Sequence, residues 1–125
     1  MYISAGGAMD KTALGRSGES LAREYLERKG FHFLCGNYKR LHGEVDLIME
    51  KGGWLVFVEV KTRRSLRYGL PAEAVTPVKQ RHLRYCAEVY FTEHDLHSRR
   101  ARFDVVEILM LPGRAPAVRH LENAF

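Results

Sequence analysis

The sequence contains little cysteine, little proline and no long apolar run. Its two cysteines, Cys35 and Cys86, are too few for a disulfide-stabilised fold, and we expect both to be unpaired core residues in a reducing compartment. The longest apolar run, residues 54–58, is far shorter than the roughly 20 residues of a helix that crosses a membrane. The first ten residues lack the basic start and apolar segment of a signal peptide. These absences predict a cytoplasmic protein with no membrane partner.

The length and the charge distribution narrow the class of protein further. A chain of 125 residues can bury one hydrophobic core. We predict a flexible N-terminal arm over residues 1–10 and a single domain over residues 11–125. The net charge is +5, and residues 61–102 carry 10 Lys/Arg against 4 Asp/Glu. A concentrated positive charge favours a polyanionic partner such as nucleic acid, although a solvated basic surface would give the same counts.

The hydrophobic pattern predicts an αβββαβ order followed by a short edge strand. Helical spacing covers residues 11–29 and 76–91, and strand patterns cover residues 31–40, 43–50, 54–62, 103–111 and 117–121. Short turns join the first three strands, which favours an antiparallel meander, and the second helix carries the chain to a strand that can lie parallel. The inner face of that helix is predicted to carry Val78, Leu83, Cys86, Val89 and Tyr90. Helices that cover such a sheet give an α/β fold.

The segment GEVDLIMEKGGWLVFVEVKTR, residues 43–63, reads as two strands around a Gly-Gly turn. With this turn, Asp46 lies across from Glu59. Two positions further from the turn, Glu44 lies across from Lys61 on the same face. Opposed residues have Cβ atoms about 4.5–5.5 Å apart, where two ionised carboxylates repel each other. A divalent cation would offset this repulsion, whereas the alternative is a solvated Asp46 beside an ordinary Glu59–Lys61 ion pair.

Two residues of the predicted helices can add to this group. Glu19 lies at the edge of the apolar stripe of the first helix, so it is the acid of that helix that can face the rest of the protein. Lys79 projects inward from the first turn of the second helix, where it either reaches a phosphate or extends past the core into solvent. The sequence contains no P-loop, no G-x-G-x-x-G motif and no zinc-type spacing of histidine and cysteine.

The hairpin motif resembles that of a nuclease superfamily. Asp46, twelve intervening residues and then Glu59-Val60-Lys61 resemble the PD-(D/E)xK signature on its restriction-endonuclease-like αβββαβ core. The whole chain also resembles the YraN family of small bacterial proteins, which are similar to archaeal Holliday junction resolvases. The matching segments, which cover residues 15–125 with few gaps, are GRSGESLAREYL, GEVDLI, VFVEVKTR, AVTPVKQRHL, RFDVVEI and HLENAF.

This resemblance implies roles for six positions of the sequence. Asp46 and Glu59 would ligate Mg²⁺ or Mn²⁺, with the Val60 carbonyl as a further ligand. Lys61 would position or activate the attacking water. Glu19 on the first helix and Lys79 on the second helix match two further polar positions of such sites. Valine rather than proline precedes the aspartate in this sequence.

The leading functional expectation is a metal-dependent DNA endonuclease, with branched or structured DNA as its substrate. Basic residues around the motif would hold the DNA backbone, and these are Arg63, Arg64, Arg67, Arg81, Arg84, Arg99 and Arg100. One alternative is a nucleic-acid-binding protein that keeps the nuclease fold without cleavage, and another is a subunit whose basic face meets an acidic protein. By analogy with resolvases, which make paired cuts, a homodimer is expected.

Overall fold

The fold is built on one mixed β-sheet, with a helix packed on each face. The computed structural model describes residues 3–4, 17–65, 75–96 and 99–125, and its elements in chain order are β1 (Ile3–Ser4), α1 (Gly18–Arg28), β2 (His32–Arg40), β3 (Gly43–Lys51), β4 (Trp54–Arg63), α2 (Pro77–Glu93), β5 (Arg100–Leu109) and β6 (Ala117–Leu121). In the sheet the strands lie in the order β1-β6-β5-β4-β3-β2. Strands β4 and β5 run parallel, and the other described neighbours run antiparallel. The predicted αβββαβ order and mixed sheet are therefore confirmed.

Both helices begin at a hydroxyl residue that caps the first turn. Ser17 Oγ accepts a hydrogen bond from the backbone N–H of Ser20 at 3.1 Å, and Thr76 Oγ1 accepts one from that of Lys79 at 3.2 Å. Such a cap supplies a partner for an N–H group that has none within the helix. The predicted start of α2 is confirmed. Residues 11–16 of the first predicted helix lie outside the described residues.

The N-terminal end of the chain adds a short strand to the sheet. Ile3 pairs with Val118 and Ser4 pairs with Ala117. Strand β6 was predicted as an edge strand, and this is wrong because β1 lies beyond it. The remainder of the predicted arm over residues 1–10 lies outside the described residues.

Each face of the sheet carries its own apolar core. Along β4, Val56 and Val58 pack in the core against α1, and Leu55 and Phe57 pack in the core against α2. This period of two is that of a strand with both faces covered. Val78, predicted on the inner face of α2, is instead 50% exposed. No helix within the described ranges is both long and apolar enough to cross a membrane.

The β3–β4 hairpin has the predicted register over five residue pairs and stops one pair before Asp46. Both turn glycines have positive φ angles, 58° and 83°, which a residue without a Cβ tolerates at no steric cost. Because backbone pairing stops there, the predicted pairing of Asp46 with Glu59 is wrong, and so is that of Glu44 with Lys61. The two strands diverge at the position where the carboxylates lie.

Candidate active site

Strands β3 and β4 diverge at Asp46, whose side chain replaces a backbone partner. The Val60 N–H donates a hydrogen bond to Asp46 Oδ2 at 2.7 Å. The side-chain alternation of β3 breaks at the same point, because Val45 packs together with Ile48 in the core against α2. The N–H and C=O of one residue in a strand point to the same neighbour, so the Val60 carbonyl also faces the gap. The result is an opening in the sheet lined by a carboxylate and a backbone carbonyl.

Glu59 is a nearly buried carboxylate beside this opening. The residue is 5% exposed. Burial raises the pKa of Glu59 to about 7, and the charge of Asp46 and a hydrogen bond with it act in the same direction, against the opposing effect of Lys79 and Lys61. Among the described residues, Glu59 Oε2 has no hydrogen-bond partner. The two acids therefore lie close together, as the sequence predicted, although they meet across a break in the sheet rather than as an opposed pair.

Two lysines approach Glu59 from different elements. Lys61 Nζ, two residues further along β4, lies 3.9 Å from Glu59 Oε1. Lys79 Nζ, in the first turn of α2, lies 3.3 Å from Glu59 Oε2. The capped start of α2 at Thr76 brings the lysine to this place. Lys79 is thus half-buried against a carboxylate rather than extended into solvent.

Glu19 reaches the opening from the α1 side. Burial raises its pKa, and so do the charges of Asp46 and Glu44, whereas a hydrogen bond from Asn37 lowers it. Asn37 has a φ of 50°, a left-handed conformation within strand β2 that asparagine tolerates better than most residues. Sequence reasoning missed Asn37, although a Gly-Asn pair inside a strand pattern signals a local irregularity. The five residues predicted as catalytic all lie at one end of the sheet.

Two carboxylates at this end, Asp46 and Glu59, are candidate ligands for a metal ion. Within the described part of the chain, no group of three or more His, Cys, Asp or Glu residues is arranged to hold a metal ion. Mg²⁺ often binds through only one or two carboxylates and keeps several waters. The close carboxylates of Asp46 and Glu59 fit such an ion, and Lys79 Nζ lies 3.3 Å from Glu59 Oε2 in the structure. The donor set therefore suits a hard, partly hydrated cation rather than zinc.

Two of the seven arginines predicted to hold nucleic acid lie at the opposite end of the sheet. Arg100 pairs with Trp54 at the start of β4 and β5, five residues before Glu59, or about 17 Å along the strand. The Arg100 guanidinium lies 5.3 Å from the centre of the Trp54 ring. Arg99 forms an ion pair with Glu50. The structure does not bring these two residues together with the carboxylates.

The other predicted arginines differ in their surroundings. Arg63 Nε lies 2.6 Å from a carboxylate oxygen of the buried Glu107, so its charge is engaged within the protein. The Arg84 guanidinium lies 4.8 Å from the centre of the Phe103 ring. Arg64 and Arg81 are exposed to solvent, and Arg67 lies outside the described residues. Their contact with nucleic acid stays a prediction.

A third buried carboxylate, Asp104, forms a hydrogen-bond network on the face of the sheet that α1 covers. It accepts hydrogen bonds from Arg102 Nε and Nη2 (both 2.9 Å), His120 Nε2 (2.8 Å) and the Asn123 N–H (2.9 Å). Lys29 Nζ lies 2.9 Å from His120 Nδ1. An ammonium group only donates, so Nδ1 accepts and Nε2 carries the proton shared with Asp104. Sequence reasoning missed this network, whose signal is an aspartate inside a strand with apolar residues on both faces.

The fold and this arrangement of acids and lysines define a small α/β protein with an αβββαβ core. Comparison with known proteins gives the family. The model of the uncharacterised protein family UPF0102 matches residues 18–108, so the chain belongs to this family, which confirms the YraN assignment made from the sequence.

Relatives from several bacteria align over almost their whole length. A UPF0102 protein of Rhodococcus opacus is 50% identical over 113 residues, which is 90% of this chain and 96% of the relative. One from Caldicellulosiruptor saccharolyticus is 44% identical over 118 residues, which is 94% of this chain and 100% of the relative. One from Geobacter sulfurreducens is 44% identical over 119 residues, covering 95% and 93%. These names state the family and no activity.

Proposed function

We propose that the protein is a metal-dependent endonuclease that hydrolyses phosphodiester bonds in DNA. The observation that carries this proposal is the nearly buried Glu59 beside Asp46 at the opening of the sheet, with two lysines in contact with Glu59. Holding acids together in this way is unfavourable for stability, because close like charges and buried charges both cost free energy. Such an arrangement is typical of a functional site rather than of a structural one.

Asp46, Glu59 and the Val60 carbonyl would hold Mg²⁺ or Mn²⁺. A bound divalent ion supplies charge stabilisation at the phosphoryl group and lowers the pKa of its water ligand. The nearly buried Glu59 beside Asp46 and the Val60 carbonyl in the strand gap are consistent with this role.

The remaining residues bind and orient the reactants. Lys61 Nζ and Lys79 Nζ can donate hydrogen bonds to the attacking water and to a phosphate oxygen, since both lie within 4 Å of the Glu59 carboxylate. Glu19 is placed to accept a hydrogen bond from water at the α1 side. In hydrolysis the water loses a proton as its oxygen bonds to phosphorus, the bond to the departing oxygen breaks, and that oxygen takes up a proton. The cytoplasm would suit both free cysteines.

The test is a panel of linear, flap and four-way-junction DNA incubated with the purified protein and Mg²⁺ or Mn²⁺. Wild type should cut at least one of them, and Asp46→Asn should lose at least about 100-fold in rate, as expected when a group that acts on the transition state is removed. Glu50→Gln is the matched control, because Glu50 lies on the same strand but pairs with Arg99 at the far end. Cleavage by Asp46→Asn at the wild-type rate would refute the proposal.

A non-catalytic nucleic-acid-binding protein is the second candidate. It is favoured by one observation: in the described ranges the acids do not form a group of three or more that could hold a metal. This candidate predicts salt-sensitive DNA binding that persists in Glu59→Gln, with no cleavage of any substrate in the panel.

A further inference from the structure

The tip of the β2–β3 hairpin exposes a large apolar side chain. Among the described residues, three large hydrophobic side chains are exposed, and Leu41 is far the most exposed at 85%, compared with 50% for Val78 and 42% for Leu34. An isolated exposed leucine on a soluble protein is ordinary. A binding role for Leu41 must therefore be argued from the residues around it.

The hairpin that carries Leu41 is held rigidly on α2. Arg40 donates hydrogen bonds from Nε and Nη2 to the Glu93 carboxylate at 3.0 and 2.9 Å, and Tyr38 donates one from its hydroxyl to the same carboxylate. On the other arm, Gly43 lies so close to the helix that an added Cβ would be 2.9 Å from the Cβ of His82. The tip is thus fixed on both sides, and the leucine is presented in a defined place.

The charges and the position of the tip point to nucleic acid. Leu41 is flanked by the exposed Lys39 and His42, whereas the charge of Arg40 is already paired with Glu93. Strand β3 leads directly from this tip to Asp46, a distance of five residues or about 17 Å. At a spacing of about 3.4 Å per nucleotide of duplex, this corresponds to about five base pairs. A nucleic acid offers phosphates to Lys39 and a base face to the leucine.

We propose that Leu41 is a wedge that packs against an exposed base pair where a DNA helix is interrupted by a branch, a nick or an end. The inference rests on the proposed function, since it needs DNA at the carboxylate end of the sheet. Aliphatic side chains that enter between base steps unstack them and favour DNA that is already easy to open. The wedge would therefore select interrupted DNA and place the scissile phosphate within about five nucleotides of the interruption.

The test compares Leu41→Ser with Leu34→Ser, a partly exposed leucine on β2 away from the tip. A four-way junction carries 2-aminopurine at the branch-point pair, and binding is measured in EDTA so that cleavage plays no part. Wild type and Leu34→Ser should raise the 2-aminopurine fluorescence on binding, and Leu41→Ser should not. Leu41→Ser should also bind the junction about tenfold more weakly, which is the loss expected for one partly buried aliphatic side chain, with less than about a twofold change on linear duplex.

The outcomes separate this inference from the proposed activity. If Leu41 controls junction binding but no substrate is cut with Mg²⁺ or Mn²⁺, the wedge stands and the endonuclease assignment falls. If DNA is cut but Leu41→Ser matches wild type in fluorescence, preference and cut position, the wedge is refuted and the endonuclease stands. If neither junction nor duplex is bound at low salt, both are refuted.

Discussion

Replacing Asp104 by asparagine should lower the free energy of unfolding by about 3 kcal/mol, because removing one partner of a buried ion pair leaves the other charge unpaired. Asp104 is fully buried and accepts four hydrogen bonds of 2.8–2.9 Å from Arg102, His120 and Asn123. Asparagine keeps one acceptor oxygen but turns an amide NH₂ group towards these donors. The expected loss therefore lies at the lower end of the range of about 3–5 kcal/mol measured for broken buried pairs.

Urea unfolding followed by the fluorescence of Trp54, the one tryptophan in the chain, measures this change. Glu122→Gln is the matched control, because it makes the same carboxylate-to-amide change at an exposed acid that directly precedes Asn123 and lies 3.5 Å from Lys29. Exposed pairs contribute about 0–1 kcal/mol. If Asp104→Asn lost no more than Glu122→Gln, the buried network would not stabilise the C-terminal segment, and the reasoning would be refuted.

Asp104 should also make the free energy of unfolding depend on pH. Burial alone would raise the pKa of Asp104, but hydrogen bonds from His120, Arg102 and the Asn123 N–H outweigh it and hold the pKa below its usual value. The stabilisation is therefore complete above the unfolded-state pKa of about 3.9 and is lost as the pH falls through the lower folded-state value. Below about pH 4, wild type should lose stability more steeply than Asp104→Asn.

Two further changes test the packing at the carboxylate end. Glu59→Gln should raise the free energy of unfolding by about 1 kcal/mol, because it removes a buried charge that faces Asp46. Urea unfolding without divalent ions measures this change. A lower free energy of unfolding in Glu59→Gln than in wild type would contradict the account. Gly43→Ala should cost about 1–3 kcal/mol, because its Cβ would lie 3.0 Å from the backbone oxygen of His82. Gly36→Ala is the control, because an added Cβ at position 36 would lie no closer than 3.4 Å to any atom. If Gly36→Ala lowered the free energy of unfolding as much as Gly43→Ala, the contact between the hairpin and α2 would not explain the cost.

Much of the fold could be predicted because local patterns and tertiary structure agree. The Gly-Gly turn sets the register of β3 and β4, and Thr76-Pro77 starts α2 where Lys79 needs to be. What sequence reasoning missed was the break at Asp46, because a period of two assumes that every backbone group pairs with backbone. Here the Asp46 carboxylate accepts the hydrogen bond from the Val60 N–H. No local sequence pattern distinguishes this bond from a backbone hydrogen bond between strands.

The missed residues depend on contacts between distant segments. Val78 fits the helical stripe of α2, yet it is half-exposed because it precedes the part of the helix that covers the sheet. Asp104 finds its partners through His120 and Asn123, which lie 16 and 19 positions further along the chain. Leu41 lies at a short turn, and its exposure depends on how the hairpin is fixed to α2. Such relations follow from the assembled fold and not from spacing along the chain.

The most direct test of the central claim is a calorimetric titration of the metal-free protein with Mn²⁺. The account predicts one ion bound per wild-type chain, and one also in Glu50→Gln, whose acid lies at the far end of β3. Asp46→Asn should bind none at the same concentrations, because the carboxylate at the strand opening is gone. Unchanged binding by Asp46→Asn, or no binding by wild type, would contradict the claim that these two acids share a metal ion.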